Sequence, residues 1–322
     1  MSDNNLNVGL EGWLTWELLD SDGSVVQNAT QHNMILDQGL DLIAVYGFFG
    51  IQSHAVVGSG TVAPSFAQTS MGSEVARTSD NGGAPEPFTK PSNGQYSRTF
   101  VREFTEASIA GKNLSEWGFA PTSTLNTPIA IRELFRDNSG SPIVITPNGS
   151  QKLRLSYIFT LTVGPTVAVP GGSFNIAGLG DITYTLGITH RSYRYSGGSW
   201  STLTSDDYQV LNAWARASSG FSMGVTRTDL HTSYDYTTSR LDFSDVVFGT
   251  TTPLPYTNGT FRRSVNMFIP TSSVGTYVGM AACASQGGTS PYSALLGFGS
   301  SIVKNNLHTL NIDGITLSWG RA

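Results

Sequence analysis

Apolar and polar residues alternate along much of this chain. Near the N-terminus, Leu14, Trp16 and Leu18 occupy every second position. A longer run before Gly164 keeps the same spacing in Leu153, Leu155, Tyr157, Phe159, Leu161 and Val163. A period of two is typical of a strand that buries one face against a core. The pattern predicts a mainly β protein built from antiparallel sheets.

The strand-rich pattern occurs twice. One block opens at Asn93-Gly94 and closes at Gly164, and a shorter block opens at Asn258-Gly259 and closes at Gly320. A hairpin and then a short helix precede each block. We therefore predict two tandem, duplicated antiparallel β-sandwich-like domains, each with one short helix, at 1–164 and 181–322. The Gly/Pro-rich segment 165–180 is predicted to link them. Two unrelated β-domains are the alternative.

In the first half, Asp20-Ser21-Asp22-Gly23 predicts a hairpin turn because Asp and Gly tolerate positive φ. The helix that follows is expected to be capped by Asn33 and ended by Gly47. Its buried face would comprise Leu36, Leu40, Ile43 and Ala44.

The second half repeats this order. Ile182, Tyr184, Leu186 and Ile188 alternate with polar residues, and Ser205 is expected to cap a helix that ends at Gly220. The buried face of that helix would comprise Tyr208, Leu211, Trp214 and Ala215.

One polar stretch lies outside both patterns. Residues 78–94 are rich in Gly and Pro and too poor in apolar residues for a strand of their own. They predict an exposed loop that a partner orders.

Composition narrows the function classes. Charged residues make up 13% of the 322-residue chain, against about 25% in ordinary globular domains, and the chain has 36 Gly and 14 Pro. The surface is therefore expected to be rich in Ser, Thr, Asn and Gly. A net charge of −5 argues against a nucleic-acid partner, which requires clustered Lys and Arg. The single cysteine, Cys283, excludes an internal disulfide framework and a cysteine-built zinc site.

The sequence also bears on localisation. Its N-terminus lacks the basic region and apolar run of a secretory signal, and no apolar stretch approaches the roughly 20 residues of a membrane span. We expect synthesis in a host cytoplasm and no membrane span. Such an origin, combined with a surface typical of extracellular proteins, indicates a bacteriophage particle protein.

Three groups of residues resemble bacteriophage virion structural proteins. They are the glycine-rich turn and its continuation at 58–61, 63–65 and 71–74, the segment 114–119, and the strands at 134–136, 143–145 and 153–163. Trp117 and Phe119 replace the aliphatic residues and the final Leu-Phe of that family's pattern. The resemblance implies an assembly component of the tail, an appendage or the particle surface. It transfers no catalytic residue.

Candidate chemistry is sparse. The histidines lack the i, i+4 spacing of a helical zinc site, and surface or interface roles explain them better: His32, His54, His190, His231 and His308. Gly58-Ser59-Gly60 lacks the third glycine of a phosphate-binding loop and is interpreted as a turn.

Carboxylates offer three weak candidates. Asp20 and Asp22 could begin a calcium loop, but Val25 and Gln31 occupy the positions of its essential Gly and Glu, so a turn explains them better. The adjacent pair Asp206-Asp207 fits the first turn of the second helix rather than catalysis. A third possibility for glycan cleavage, weaker still, is an acid and base pair drawn from Glu103, Glu106 and Glu116.

The function expected from the sequence is a structural component of a bacteriophage particle, most specifically of the tail or its appendages. It would form a homo-oligomer and dock to other virion proteins, with neither catalytic residues nor a cofactor. The alternatives are a receptor- or carbohydrate-binding tip protein and a capsid decoration protein. Tyr193, Tyr195 and Trp200 could stack on a host surface glycan, or simply form cross-strand pairs.

Overall fold

The computed structural model describes residues 6–92, 94–164, 169–176, 180–186, 192–196, 199–203, 208–218, 220–227, 246–284 and 292–322. Strands dominate both halves of the chain, so the expectation of a mainly β protein is confirmed. Among these residues, no helix has both the length and the apolar character that crossing a membrane requires.

Among its described residues, the first half contains ten strands and two helices. In chain order they are β1 (Leu6–Leu19), β2 (Val25–His32), β3 (Met34–Ile35), α1 (Asp37–Tyr46), β4 (His54–Gly58), β5 (Glu74–Thr78), β6 (Phe88–Thr89), β7 (Gln95–Phe104), α2 (Glu106–Ile109), β8 (Glu116–Ala120), β9 (Ile131–Leu134) and β10 (Lys152–Gly164). The short helix α2 is additional to the one helix predicted for this half.

The second half contributes the remaining elements. They are β11 (Val169–Ile176), β12 (Gly180–Leu186), β13 (Ser192–Ser196), β14 (Ser199–Leu203), α3 (Gln209–Arg216), β15 (Phe221–Thr226), β16 (Val246–Phe248), β17 (Thr250–Pro253), β18 (Arg262–Ile269), β19 (Gly275–Ala284), β20 (Tyr292–Lys304) and β21 (Leu310–Arg321).

An eight-stranded sheet contains strands from both halves. Its order is β17-β18-β21-β1-β10-β7-β6, and β2 also pairs with β1. The join is parallel, from Leu6 opposite Leu317 to Leu10 opposite Arg321. Farther along the same edge of β1, the strand β2 pairs from Trp13 onward. One strand therefore ties the two halves together.

A second sheet in each half completes the architecture. The first half has β3-β9-β8-β4-β5, and the second has β11-β12-β20-β19-β15-β16. Strands β13 and β14 form a separate hairpin. In the first half, aromatic rings join the two sheets, since Tyr157 of β10 stacks on Phe119 of β8 with ring centroids 4.7 Å apart. The predicted alternation of β10 is confirmed, because every second side chain from Leu153 to Val163 is buried, whereas Ile158 on the opposite face is exposed.

Two runs of strands pair in the same order in the two halves, whereas β1, β2, β11, β13 and β14 have no counterpart in this comparison. The sequence β5-β4-β8-β9-β3 in the first half corresponds to β16-β15-β19-β20-β12 in the second. Likewise, β6-β7-β10 corresponds to β17-β18-β21. Just before β7 and β18, Gly94 and Gly259 both adopt positive φ, at 75° and 79°. These are the glycines at which the two similar sequence blocks open.

Helix α1 departs from the prediction at its start. Asn33 does not cap it, since the helix begins at Asp37 and its N-cap residue is Leu36. The preceding residues are extended because Met34 and Ile35 pair with β9. The end is as predicted, with Gly47 at φ 79°, and Leu40, Ile43 and Ala44 are buried within the helix.

Helix α3 differs at its end. It stops at Arg216 because Ala217 adopts the left-handed conformation at φ 52°, so Gly220 does not end it. Leu211, Trp214 and Ala215 are buried as expected. The proposed cap Ser205 and the pair Asp206-Asp207 lie outside the described residues.

Two segments expected to lack strands contain them. Within the predicted linker, Val169–Ile176 form β11, which pairs with β12. Within 78–94, Phe88–Thr89 form β6, which pairs with β7. In both segments, the next strand along the chain supplies the backbone hydrogen bonds of the additional strand. In the second segment, Glu86 also pairs with Arg98 and Arg102 of β7.

The helices bring the halves together at a second place. The side-chain oxygen of Asn212 on α3 accepts a hydrogen bond of 2.9 Å from the Phe48 amide just after α1. Arg263 of β18 donates to the carbonyl of Ala44 in α1 and to the carbonyl of Ala215 in α3, at 3.4 and 3.2 Å. A single buried guanidinium thus serves the C-terminal ends of both helices, where carbonyls lack partners within the helix.

Candidate functional site: a loop held by a buried ion pair

The loop 59–73, which contains Gly60 and Gly72, is the candidate functional site of the first half. It connects β4 to β5, and the adjacent strand β8 carries Glu116 beneath it. The Glu116 side chain is fully buried. A buried carboxylate requires several compensating hydrogen bonds.

Backbone amides of the loop supply those bonds. Oε1 of Glu116 accepts from the amides of Gly60 at 2.9 Å and Ser73 at 2.8 Å, and Oε2 accepts from Gly72 at 3.1 Å. The carboxylate therefore joins the beginning of the loop to its end.

Arg132 of the neighbouring strand β9 completes the anchor. Its Nε donates to Oε2 of Glu116 at 2.7 Å, and both side chains are inaccessible to solvent. The other guanidinium nitrogens donate to Oε1 of Gln68 and to the carbonyl of Val62, each at 2.9 Å. The middle of the loop is thereby fixed as firmly as its ends.

This arrangement explains the glycines of the motif. A Cβ atom at Gly58 or at Gly60 would lie 2.5 Å from Oε1 of Glu116. Neither glycine has positive φ, so the requirement is for close approach rather than for an unusual backbone conformation. In the Gly58-Ser59-Gly60 segment, the Gly60 amide donates to the Glu116 carboxylate and the Ser59 amide donates to the carbonyl of Ser73.

Two large apolar side chains are exposed on the loop, among residues that carry hydroxyl groups. Val62 and Phe66 are 69% and 48% exposed. The guanidinium of Arg321, near the end of β21, lies over the Phe66 ring at 3.9 Å from its centroid and donates to Asp37 at 2.6 Å. A rigid loop with exposed apolar side chains is suited to docking against another surface.

An open cleft of about 260 Å³ adjoins the loop. Phe66 and Arg321 line it on one side, and Glu11, His32 and Glu133 contribute polar groups. Oε1 of Glu133 accepts from Arg136 at 3.2 Å. No three His, Cys, Asp or Glu residues in the described ranges are close enough to hold a metal ion.

The carboxylates considered for acid–base chemistry are not brought together. Glu103 lies on β7 and pairs with Lys152 and Arg154, whereas Glu116 lies in the other sheet and is committed to the loop. Glu106 occupies the first turn of α2. The sequence analysis did not identify Arg132 as a functional residue. A charged residue between the apolar residues Ile131 and Leu134 was the pattern that could have indicated it.

The remaining candidates have structural roles. Oδ1 of Asp22 accepts from the Ser24 amide, and Gly23 has φ 84°, as the predicted hairpin turn requires. Nδ1 of His308 bonds to the Asn305 side chain at 2.7 Å. His190 and His231 lie outside the described residues. Backbone register places Tyr195 directly opposite Trp200, as a cross-strand pair would be.

Comparisons with protein-family models, with curated proteins and with solved structures find no match to this chain.

Proposed function

We propose that this protein is a structural component of a bacteriophage particle, of the tail or its appendages, and that it resides in the virion. It acts by self-association and by docking to neighbouring virion proteins. The observation that carries the proposal is the loop 59–73, which the Glu116–Arg132 pair holds rigid while Val62 and Phe66 face solvent. Of the residues that shape this loop, Gly58, Gly60 and Glu116 belong to the groups that resemble phage virion proteins.

Rigidity of this kind favours assembly. A flexible loop loses conformational entropy when a partner orders it, whereas a loop already fixed by buried hydrogen bonds loses little. The low charge of the chain has a related effect, since few charged groups must be desolvated when large surfaces meet.

We also propose that the halves are duplicated, tandem sandwich-like domains. Support comes from the two runs of strands that pair in the same order in both halves and from the position of α1 and α3 before corresponding strands. A duplicated subunit presents two similar surfaces. In a ring of such subunits, it could join particle parts of different symmetry.

Immunogold electron microscopy tests the location. An antibody raised against the purified chain would be applied to purified particles of the phage whose genome encodes it. We expect label on the tail or its appendages. Even label over the head would favour the decoration alternative, and unlabelled particles would contradict a virion role.

A complementation assay tests the loop. Phage lacking the gene would be supplied with wild-type protein, with the Val62→Asp/Phe66→Asp variant, or with Leu307→Asp as a control at another exposed apolar residue, 78% exposed. We expect only the loop variant to be missing from particles. Incorporation of all three proteins would show that the loop is not a docking surface.

One observation favours carbohydrate binding as a second candidate. Hairpin β13-β14 forms a sheet of its own, with Tyr195 opposite Trp200. Aromatic rings at a separate hairpin could stack on a sugar. The Trp200→Ala variant should then abolish attachment to host cells while particles still assemble; normal attachment would argue against this candidate.

A further inference from the structure

Strand β2 is an unprotected edge. It pairs with β1 on one side, and no strand among the described residues pairs with its other side. Its eight residues, Val25–His32, include no Pro, Gly, Lys, Arg, Asp or Glu. An open edge presents a row of unpaired amides and carbonyls to any compatible strand.

The edge strands of the larger sheets are protected. Strands β3, β6 and β16 have two or three residues. Strand β17 ends in Pro253. Strand β5 carries the ion pair Glu74–Arg77, and β11 is interrupted by a register shift between Pro170 and Gly172. Short length, proline, charge and bulges are the usual means by which proteins prevent edge pairing. Beyond a register shift at the hairpin end near Val26, β2 uses none of them.

Side-chain exposure shows that the edge is accessible. Val25, Val26, Gln27 and Asn28 are all exposed, so the hairpin end of β2 has no cover on either face. Farther along, Ala29 and Gln31 are buried while Thr30 and His32 are exposed. The strand therefore has a defined inner and outer face, and this restricts how a second strand can join it.

We propose that β2 pairs antiparallel with β2 of a second copy of this chain, across a twofold axis near Ala29. This register continues both faces of the sheet, because Ala29 meets Ala29 of the second copy on the inner face. Asn28 then lies opposite Thr30 of the second copy on the outer face. The two partners present the same patch, as a twofold interface requires.

Charge distribution favours this partner and direction. Asp20 and Asp22 lie in the turn at one end of the hairpin, and His32 lies at the other end. Antiparallel pairing separates the two acidic turns by roughly the length of the strand, about 27 Å, which exceeds the screening distance of physiological salt. Parallel pairing would bring the acidic turns together. Since the strand contains no Lys, Arg, Asp or Glu, self-pairing opposes no like charges of these residues.

The β2 pairing rests on the self-association in the proposed function and places it at one surface, the outer edge of β2. Its test is sedimentation velocity on the full chain over a range of concentrations. We expect wild-type protein to form a dimer. In Asn28→Lys/Thr30→Lys, two pairs of lysines would face each other, and the dissociation constant should rise about tenfold or more.

The matched control uses the same two exposed positions. In Asn28→Lys/Thr30→Asp, each lysine faces an aspartate of the second copy, so the dimer should be restored. Circular dichroism and melting temperature check that both variants fold. Equal dissociation constants for the two variants, or a wild-type monomer at every concentration, would overturn the proposal.

A second measurement does not depend on variants. Amide hydrogen exchange in β2 should slow as the wild-type concentration rises, because dimerisation covers the outer edge. Exchange independent of concentration would contradict the pairing. These experiments use purified protein, so their failure leaves the proposed virion role standing, whereas unlabelled particles would remove that role without affecting the dimer.

Discussion

Glu116 and Arg132 show how two residues determine the shape of a whole loop. Three backbone amides and one guanidinium satisfy the carboxylate, and the guanidinium also reaches Gln68 and Val62. Buried ion pairs contribute little net stability when compared with apolar replacements, but removing one member leaves an uncompensated charge. The pair is therefore better explained by the conformation it imposes than by the stability it adds.

The first prediction concerns that uncompensated charge. Arg132→Met should lower the free energy of unfolding by about 3–5 kcal/mol, because Glu116 stays buried without its cation. Adding Glu116→Gln should recover part of the loss. Urea unfolding of both variants measures these free energies. Lys152→Met is the control, because the lysine of its pair with Glu103 is 39% exposed. Loss of this pair should lower the free energy of unfolding by less than about 1 kcal/mol. Equal losses for Lys152→Met and Arg132→Met would contradict the prediction.

A second prediction concerns the glycine motif. Gly60→Ala places a Cβ atom 2.5 Å from Oε1 of Glu116 and should cost about 1–3 kcal/mol by overpacking. Gly149→Ala is the matched control, because no heavy atom lies within 4 Å of its added Cβ. Thermal melting compares the two. A Gly60 variant as stable as the Gly149 variant would show that the loop can shift away from the carboxylate.

His54 gives a third prediction. Burial, and then the positive charges of Arg102 and Arg77, lower the pKa of its imidazole below the usual value. The unfolded chain therefore binds the proton more readily, and stability should fall as pH drops below about 6.5. The melting temperature of wild-type protein should decrease more than that of His54→Gln between about pH 7.5 and about pH 5. Parallel curves would contradict this assignment.

Among the secondary-structure elements, helices α1 and α3 connect the two halves through hydrogen bonds. The amide of Phe48, just beyond α1, bonds to Asn212 on α3, and Arg216 of α3 donates to the Val45 carbonyl of α1 at 3.2 Å. Gly47 between these contacts leaves no room for a side chain, since a Cβ atom there would lie 2.0 Å from the Asn212 side chain. Close packing at the glycine allows the helix ends to share hydrogen bonds.

The fourth prediction tests Arg263, which donates to carbonyls of both helices and of Leu254. Arg263→Leu should cost roughly 2–4 kcal/mol, because buried carbonyls lose their donor. Arg98 holds the corresponding position in the first sequence block, but its side chain is 35% exposed. Arg98→Leu should therefore cost less than about 1 kcal/mol. Similar losses in denaturant unfolding would refute a special role for Arg263.

In the whole molecule, β1 joins strands from both halves of the chain into one sheet. It pairs with β10 and β2 from its own half and with β21 from the other. Strand β21 also pairs with β18, so neither half completes its hydrogen bonding without the other. Buried residues of both halves, including Trp16 and Leu317, belong to one continuous apolar cluster.

The fifth prediction follows from this shared sheet. Calorimetry should show a single unfolding transition, with calorimetric and van't Hoff enthalpies in a ratio near one. Leu317→Ala should cost about 2–5 kcal/mol and shift the whole transition to lower temperature, because the residue is fully buried at the join. A variant that unfolds in two steps, with one half unchanged, would show that the halves are independent.

Local and periodic features of the fold could be predicted from the amino-acid sequence alone. Alternation located β1 and β10, the Asp20–Gly23 turn located the first hairpin, and Gly47 marked the end of α1, because each depends on residues that are neighbours in the chain. Repetition of these signals also predicted a duplicated second half, which stays a prediction.

Contacts between residues far apart in the chain could not be predicted from these patterns. Pairing with β9 keeps Met34 and Ile35 extended and delays the start of α1. The strand β11 within the predicted linker, by contrast, pairs with the next strand along the chain, β12, and was missed although the pairing is local. The parallel join of β1 to β21 and the contact of Arg132 with Glu116 have no local signature. Each depends on hydrogen bonds that form only when the chain is folded, so sequence patterns could identify the residues but not their partners.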